Sequence, residues 1–193
     1  MKLDKAYWNH QYEQKKYGWD IGYPSTPIKN YIDQLTDKSI KILIPGAGHA
    51  YEAEYLFNQG FKNVFVLDYA ENAITKFKAR ISNFPESQIL VEDFFEHSNQ
   101  YDLIIEQTFL TSLPRIMRVA YAQKMYDLLN NKGKLVGLVF NHEFANDFPP
   151  YGGTPEEYKT LFKPYFEFKT FEGCFNSIKP RHDREHFFIL LKK

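Results

Sequence analysis

One cysteine in 193 residues, Cys174, leaves the chain with no partner for an internal disulfide. A chain of this length buries roughly 70% of its unfolded surface and needs no covalent staple. The lone thiol therefore reads as a buried structural residue, and it fits a reducing, cytoplasmic setting. Long apolar runs are missing as well. The opening MKLDKAYWNHQYEQKK is polar and charged, which excludes a signal h-region or a membrane span there. A soluble, unexported protein, monomeric or weakly dimeric, is expected. Net charge is also absent, because 24 basic and 24 acidic residues cancel. Non-specific nucleic-acid binding depends on a cationic excess, so nucleic acid is not an expected partner. No repeat, low-complexity tract or Pro/Gly/Ser-rich linker marks a boundary, so residues 1–193 are expected to form one domain. What the chain has in quantity is aromatic side chains, 18% of residues, including 14 Tyr and 18 Phe. Many of these must be core, and some can line a pocket.

Hydrophobic patterning alternates short apolar runs with longer amphipathic ones. IKILIP (40–45), NVFVLD (63–68), QILVED (88–93), YDLIIEQ (101–107) and KLVGLVF (134–140) have the length and side-chain content of strands. YEAEYLFNQG (51–60), ending at a C-cap glycine, ENAITKFKARIS (71–82) and RIMRVAYAQKMYDLLNNKG (115–133) have helical spacing. Such an alternation requires a parallel sheet with helices on both faces. YFEFKTFEG (165–173) and HFFILLKK (186–193) have no helix between them and should pair antiparallel. The expectation is an α/β Rossmann-like, doubly wound, mostly parallel seven-stranded sheet with an antiparallel C-terminal strand. Residues 1–39 precede that core (40–193) as one or two helices around the irregular stretch YGWDIGYPSTP.

Ligands of such sheets sit at the carboxyl ends of the strands, and the first strand-to-helix turn is the usual anchor. Gly46 and Gly48 fall at that turn, where a missing Cβ lets a ligand approach backbone amides. Asp68 closes the next strand twenty residues after Gly48, the spacing at which a carboxylate reaches ribose hydroxyls. The pattern suits both a dinucleotide and S-adenosylmethionine, and a tight turn that binds nothing would also explain the glycines. The dinucleotide motif needs glycine or alanine at position 51, beside the pyrophosphate. Tyr51 stands there instead, which favours a nucleoside without phosphate. Asp93, with Phe94 beside it, ends the third strand and could meet an adenine ring, or could simply be an exposed strand-end acid.

On these residues the chain resembles the thiopurine S-methyltransferase family of class I methyltransferases, which includes thiol and halide methyltransferases. YWNHQYEQKKYGWDIGYPSTPI resembles the family's leading segment, ILIPGAGHAYEAEYL its glycine motif, YDLIIEQTFLTSLP its fourth-strand motif and PPYGGTPEEY its loop. The likeness covers nearly the whole chain. It implies S-adenosylmethionine as cofactor and a small-molecule methyl acceptor. It further implies that Trp8, Tyr12 and Trp19 belong to an N-terminal helical lid folded over the cofactor. Gly46 would contact the methionine portion, Asp68 the ribose, and Asp93 with Phe94 the adenine, with Gly48 also among the cofactor-binding residues. Gln107 would face the methyl-transfer site. The chain departs from the family pattern at Ala47, Ala50 and the Glu106-Gln107 pair, and its loop is a permuted form of the family's.

A sulfonium already carries a good leaving group, so transfer mainly needs an aligned nucleophile, with no metal or covalent enzyme intermediate. Aromatic faces attract a sulfonium by about 0.5–2 kcal/mol, which gives Trp8 and Trp19 a role beyond anchoring the N-terminal helix. A thiol is the expected acceptor, with thiopurines or halide as further candidates. An amine or oxygen acceptor would need a base, for which Glu106, His142 and Glu143 are candidates; His142 can equally be an ordinary strand-end polar residue. A non-catalytic protein that binds or senses S-adenosylmethionine is the alternative function, with a nicotinamide-dependent oxidoreductase behind it. His182 and His186 have the spacing of metal ligands on a helix but lie before a strand, so no metal is expected.

Overall fold

The structure is a computed structural model that describes residues 2–193. Its strands are β1 (Ile42–Pro45), β2 (Val64–Leu67), β3 (Ile89–Leu90), β4 (Tyr101–Gln107), β5 (Leu129–Phe140), β6 (Phe166–Gly173) and β7 (Glu185–Lys192). They form one sheet in the order β3-β2-β1-β4-β5-β7-β6. Strands β1 to β5 pair in parallel, and β7 runs antiparallel to both of its neighbours. The expected architecture holds, with the reversed strand seated between β5 and β6 rather than at the sheet edge.

Central strands of a parallel sheet are covered on both faces and so read as continuous apolar runs. Strand β1 is buried along its whole length. Ile42 and Ile44 join one core layer with Val64, Val66, Leu103 and Ile105, while Leu43 joins the other with Ile104, Leu135 and Val139. The first layer is closed by α2 (Thr26–Ile32), α3 (Tyr51–Asn58) and α4 (Glu71–Arg80), through Ile28, Ile32, Ala53, Leu56 and Phe77. The second is closed by α6 (Arg118–Asp127) and α7 (Pro155–Phe162), through Tyr121, Met125, Tyr158 and Phe162. Each large apolar side chain so buried contributes about 1.5–3 kcal/mol.

Helix ends follow local chemistry. Gly60 adopts φ +88°, and the Phe61 and Gly60 amides donate to the Leu56 and Phe57 carbonyls, a Schellman termination of α3. Two predicted boundaries are corrected. The helix expected to reach residue 133 ends at Asp127, because Leu129 already pairs with Tyr101 as the start of β5. Between Leu129 and Lys134 the chain bulges out of register, with Lys132 at φ 66°. The third strand shrinks to Ile89–Leu90, since only Val66 and Leu67 offer it partners. Helix α1 (Lys5–Glu13) begins at an Asp4 cap and docks on the start of α4 through Lys5–Glu71 and Asn9–Asn72 contacts. Among the described residues no helix is long and apolar enough to cross a membrane.

Candidate active site

Leaving β1 at Pro45, the chain takes left-handed backbone at every second residue: Gly46 at φ +57°, Gly48 at +55° and Ala50 at 53°. Only glycine adopts this conformation at no steric cost, and at position 50 alanine bears it with the smallest possible Cβ. The turn is tied to β2 by the Ala47 amide, which donates to the Leu67 carbonyl at 3.2 Å. Asp68 completes the tie. Its two carboxylate oxygens accept from the Gly48 and Ala70 amides, each at 2.8 Å. Burial pushes the Asp68 carboxyl up, against the pull of those amides. Tyr51, which opens α3, lies under the Arg80 guanidinium at 4.4 Å from its ring centroid.

The N-terminal segment roofs this turn. Trp8 and Trp19 meet edge to face at 5.5 Å, and Tyr12 meets Trp19 the same way at 5.8 Å. Tyr12 is buried, with its hydroxyl 3.0 Å from where a Gly48 Cβ would stand. Tyr12 and Tyr17 also flank the His49 ring, at 5.3 Å and 5.1 Å. Polar contacts that the sequence did not announce fix the roof. His49 pairs with Asp20, whose other carboxylate oxygen accepts from the Gly22 amide at 2.7 Å. Burial raises the Asp20 carboxyl, but His49, Gly22 and Tyr51 together bring it below the usual range. The Ser25 amide donates to buried Glu52 at 2.9 Å. Arg181, held by Glu185 at 3.4 Å, donates to the Trp19 carbonyl at 2.7 Å. Asp20 and His49, Ser25 and Glu52, and Trp19 and Arg181 lie 29, 27 and 162 positions apart, separations that no local pattern spans.

At the end of β4 the two neighbouring side chains part, as pleating requires. Glu106 turns into the core, where its carboxylate accepts from the Tyr121 hydroxyl and, at 3.1 Å and 3.3 Å, from the Leu110 amide of α5 (Phe109–Ser112). Gln107 lies at the sheet's carboxyl end, half-buried, and its Oε1 is enclosed without a partner among the described residues. Phe109 covers the glycine turn: a Cβ on Gly46 would stand 2.2 Å from the Phe109 Cδ2. Phe94 is buried in the core and backs Phe109 at 5.1 Å between centroids. The expected placement of Phe94 as an open ring face is thus replaced by a wall behind Phe109. Asp93 is exposed and starts a turn, one oxygen accepting from the Phe95 amide at 2.8 Å.

Burial pushes the Glu106 carboxyl up from 4.5 to about 7, against the Tyr121 and Leu110 hydrogen bonds. The folded chain therefore holds this proton more tightly than the unfolded chain does. The associated stability is complete below pH 4.5 and is lost as the pH rises through 7. Chemical denaturation should register a loss on the order of 3 kcal/mol across that window, and Glu106→Gln should flatten it. An identical pH slope in the two proteins would refute this assignment.

His142 follows β5 and lies between Phe140 and Phe144, at 5.8 Å and 4.5 Å. The Arg184 guanidinium donates to its Nε2 at 2.7 Å. Glu143 is taken by Arg115 at 2.8 Å. The 149–153 loop is strapped down over this end of the sheet. The Tyr151 amide donates to the Thr111 carbonyl, and Arg118 donates to the carbonyls of Tyr151 and Gly152. His182 pairs with Asp183, whereas His186 is on β7.

The pattern of the thiopurine S-methyltransferase family matches residues 3–187 of the chain. "Probable thiol methyltransferase 2" of Arabidopsis thaliana is 28% identical over 162 residues, covering 81% of this chain and 71% of the relative. Thiopurine S-methyltransferase of Acinetobacter baylyi is 22% identical over 99% of this chain and 100% of the relative. Among solved structures, the Burkholderia thailandensis 1,6-didemethyltoxoflavin-N1-methyltransferase superposes with a TM-score of 0.80 at 16% identity, over 99% of this chain and 87% of that one. It was crystallised with 1,6-didemethyltoxoflavin and S-adenosylhomocysteine. A TehB-like methyltransferase from Corynebacterium glutamicum gives a TM-score of 0.69 at 17% identity, over 98% of both chains. At these identities the structural likeness speaks for the fold.

Proposed function

Because the chain belongs to the thiopurine S-methyltransferase family and is an S-adenosylmethionine-dependent methyltransferase, we propose that it methylates a small-molecule thiol, with thiopurines and halide as further acceptors, by direct in-line transfer. One observation carries this reading: a left-handed glycine turn tied to a buried carboxylate, beside an enclosed and unpartnered Gln107 oxygen. The residues present fit the cofactor. A carboxylate offers about four acceptor positions, and backbone amides use only two of those on Asp68, so two remain for ribose hydroxyls. The cofactor supplies a methyl group on a cationic sulfonium that leaves without help from an acid or a metal.

The roles of the chain's own residues follow from their chemistry. Gly46 and Gly48 let the turn take its left-handed path beside the methionine portion, with Phe109 and the Tyr12 hydroxyl packed where their Cβ atoms would stand. Trp8, Tyr12 and Trp19 offer aromatic faces to a cation and keep water out. We assign the adenine amino group to Asp93, with Phe94 supporting that wall from the core side through Phe109. Gln107 offers an acceptor oxygen at the transfer site. Glu106, locked by Tyr121 and Leu110, serves as a positioning residue for the start of α5 rather than as a base.

Calorimetry with S-adenosylhomocysteine tests binding, and tritiated methyl transfer to thiols, iodide and amines tests turnover. Binding without transfer to any of them would leave a cofactor-binding protein and end the proposal. Asp68→Ala should weaken binding by about 1–3 kcal/mol through the lost charge-assisted acceptor. Unchanged affinity in a folded variant would remove Asp68 from the ribose.

A further inference from the structure

We infer that His142 serves the acceptor as a fixed N–H donor, with Arg184 as the residue that sets its tautomer, so that this side of the site selects acceptors arriving with a lone pair already free. The inference rests on the methyl-transfer reading for its substrate, but its structural part stands alone. His142 is two residues past β5, and Arg184 immediately precedes β7. Phe140 pairs with Glu185 across those strands, and the Asn141 amide donates to the Arg184 carbonyl at 3.0 Å. Backbone pairing thus sets the two side chains together. A guanidinium has five donors and no acceptor. Its contact of 2.7 Å therefore makes His142 Nε2 the acceptor and leaves the neutral ring's one proton on Nδ1. That Nδ1 is buried with no partner among the described residues. An enclosed donor left unpaired costs about 1–3 kcal/mol, a cost that an acceptor atom in the site removes.

Neighbouring groups oppose protonation of the ring. Burial and then the Arg184 charge hold its pKa below the usual value, with the Arg184 backbone pulling the other way. Nearby acids are engaged: Glu143 with Arg115, Glu185 with Arg181 and Ser177, and Asp183 with His182. Phe140 and Phe144 restrict rotation of the ring, and the Arg184 guanidinium rests over Phe144 at 5.7 Å. Accepting a proton at Nε2 would break the Arg184 contact, so the ring can give a hydrogen bond but cannot act as a base. His142 lies at the same end of the sheet as Gln107, one strand away, where Gln107 pairs with Leu138.

Nitrogen-15 imidazole shifts of the full chain test the tautomer without any turnover. We expect a protonated Nδ1 and an unprotonated, pyridine-like Nε2 for His142, with the two forms mixing in Arg184→Leu and restored in Arg184→Lys. A protonated Nε2 in the wild-type protein overturns the inference. Kinetics with thiophenol and with iodide test the role. His142→Leu should raise KM about tenfold, the worth of one hydrogen bond, with kcat little changed and S-adenosylhomocysteine affinity intact. His142→Asn, which keeps an N–H near the Nδ1 position, should recover most of that loss. An inactive His142→Asn that still binds S-adenosylhomocysteine would make the histidine a base, and an unaltered KM in His142→Leu would give it no role; either result overturns the donor assignment. A wild-type chain that binds no S-adenosylhomocysteine ends the functional reading itself, and the acceptor role falls with it while the tautomer result stands.

Discussion

Gly46→Ala should destabilise the protein by about 2–4 kcal/mol, the sum of left-handed strain and overpacking at one site. The added Cβ would stand 2.2, 2.5 and 2.9 Å from the Cδ2, Cγ and Cβ of Phe109, at a backbone φ of +57°. Moving a ring tip would not relieve this, because the Phe109 Cβ itself is too close. Phe109 in turn packs on Phe94 and Tyr121. The displacement therefore spreads into the core on one side and reshapes the glycine turn on the other. S-adenosylhomocysteine affinity should fall about tenfold or more, equivalent to about 1.4 kcal/mol. Gly18→Ala is the control, since a Cβ there meets nothing within 4 Å; its effect should stay within about 0.5 kcal/mol. Urea denaturation and calorimetry on both variants decide the matter. A Gly46→Ala protein as stable and as well bound as the control would mean that the turn is not packed against Phe109.

Arg181→Met should cost about 3–5 kcal/mol, the usual consequence of stripping one partner from a buried ion pair. The side chains of Arg181 and Glu185 retain only 10% and 3% of their exposure. Glu185 is already pushed up by burial, with Ser177 and Arg181 holding it down. Losing Arg181 also leaves the Trp19 carbonyl without its donor and removes the guanidinium lying 5.7 Å from the Phe140 ring centroid. The chain has two tryptophans, and Trp8 and Trp19 both belong to the roof. Tryptophan emission is therefore a local probe. It should shift to the red at lower urea in the variant than the far-ultraviolet circular dichroism does. Arg181→Met with Glu185→Leu should regain much of the stability, because no unpaired charge then remains buried. Loss of less than about 1 kcal/mol in the single variant would show that the pair does not hold the roof.

Much of the glycine turn and its surroundings was legible in the order of residues. The run ILIP reads as a covered strand because its position at the centre of the sheet demands apolar side chains on both faces. Gly46 and Gly48 mark left-handed backbone, and Gly60 marks the end of α3, because φ preference is a property of the residue itself. The helix expected over 115–133 was too long, since a local helical pattern carries no warning that Leu129 would find Tyr101 as a strand partner. Phe94 was expected to face a ligand and lies instead behind Phe109, a distinction that hydrophobicity alone does not make.

The residues by themselves determined the succession of strands and helices, the parallel sheet and the place of the glycine turn with Asp68, because these depend on periodicity and backbone preference over a few neighbours. Only tertiary structure decided that Glu106 points into the core while Gln107 stays at the site's end of the sheet, that Asp20 meets His49, that Arg181 reaches Trp19 from 162 residues away and that Arg184 sets the His142 ring. Those pairings join segments far apart in the chain. Each exists because folding closes the intervening loop and buries both partners at once, and no local preference encodes that.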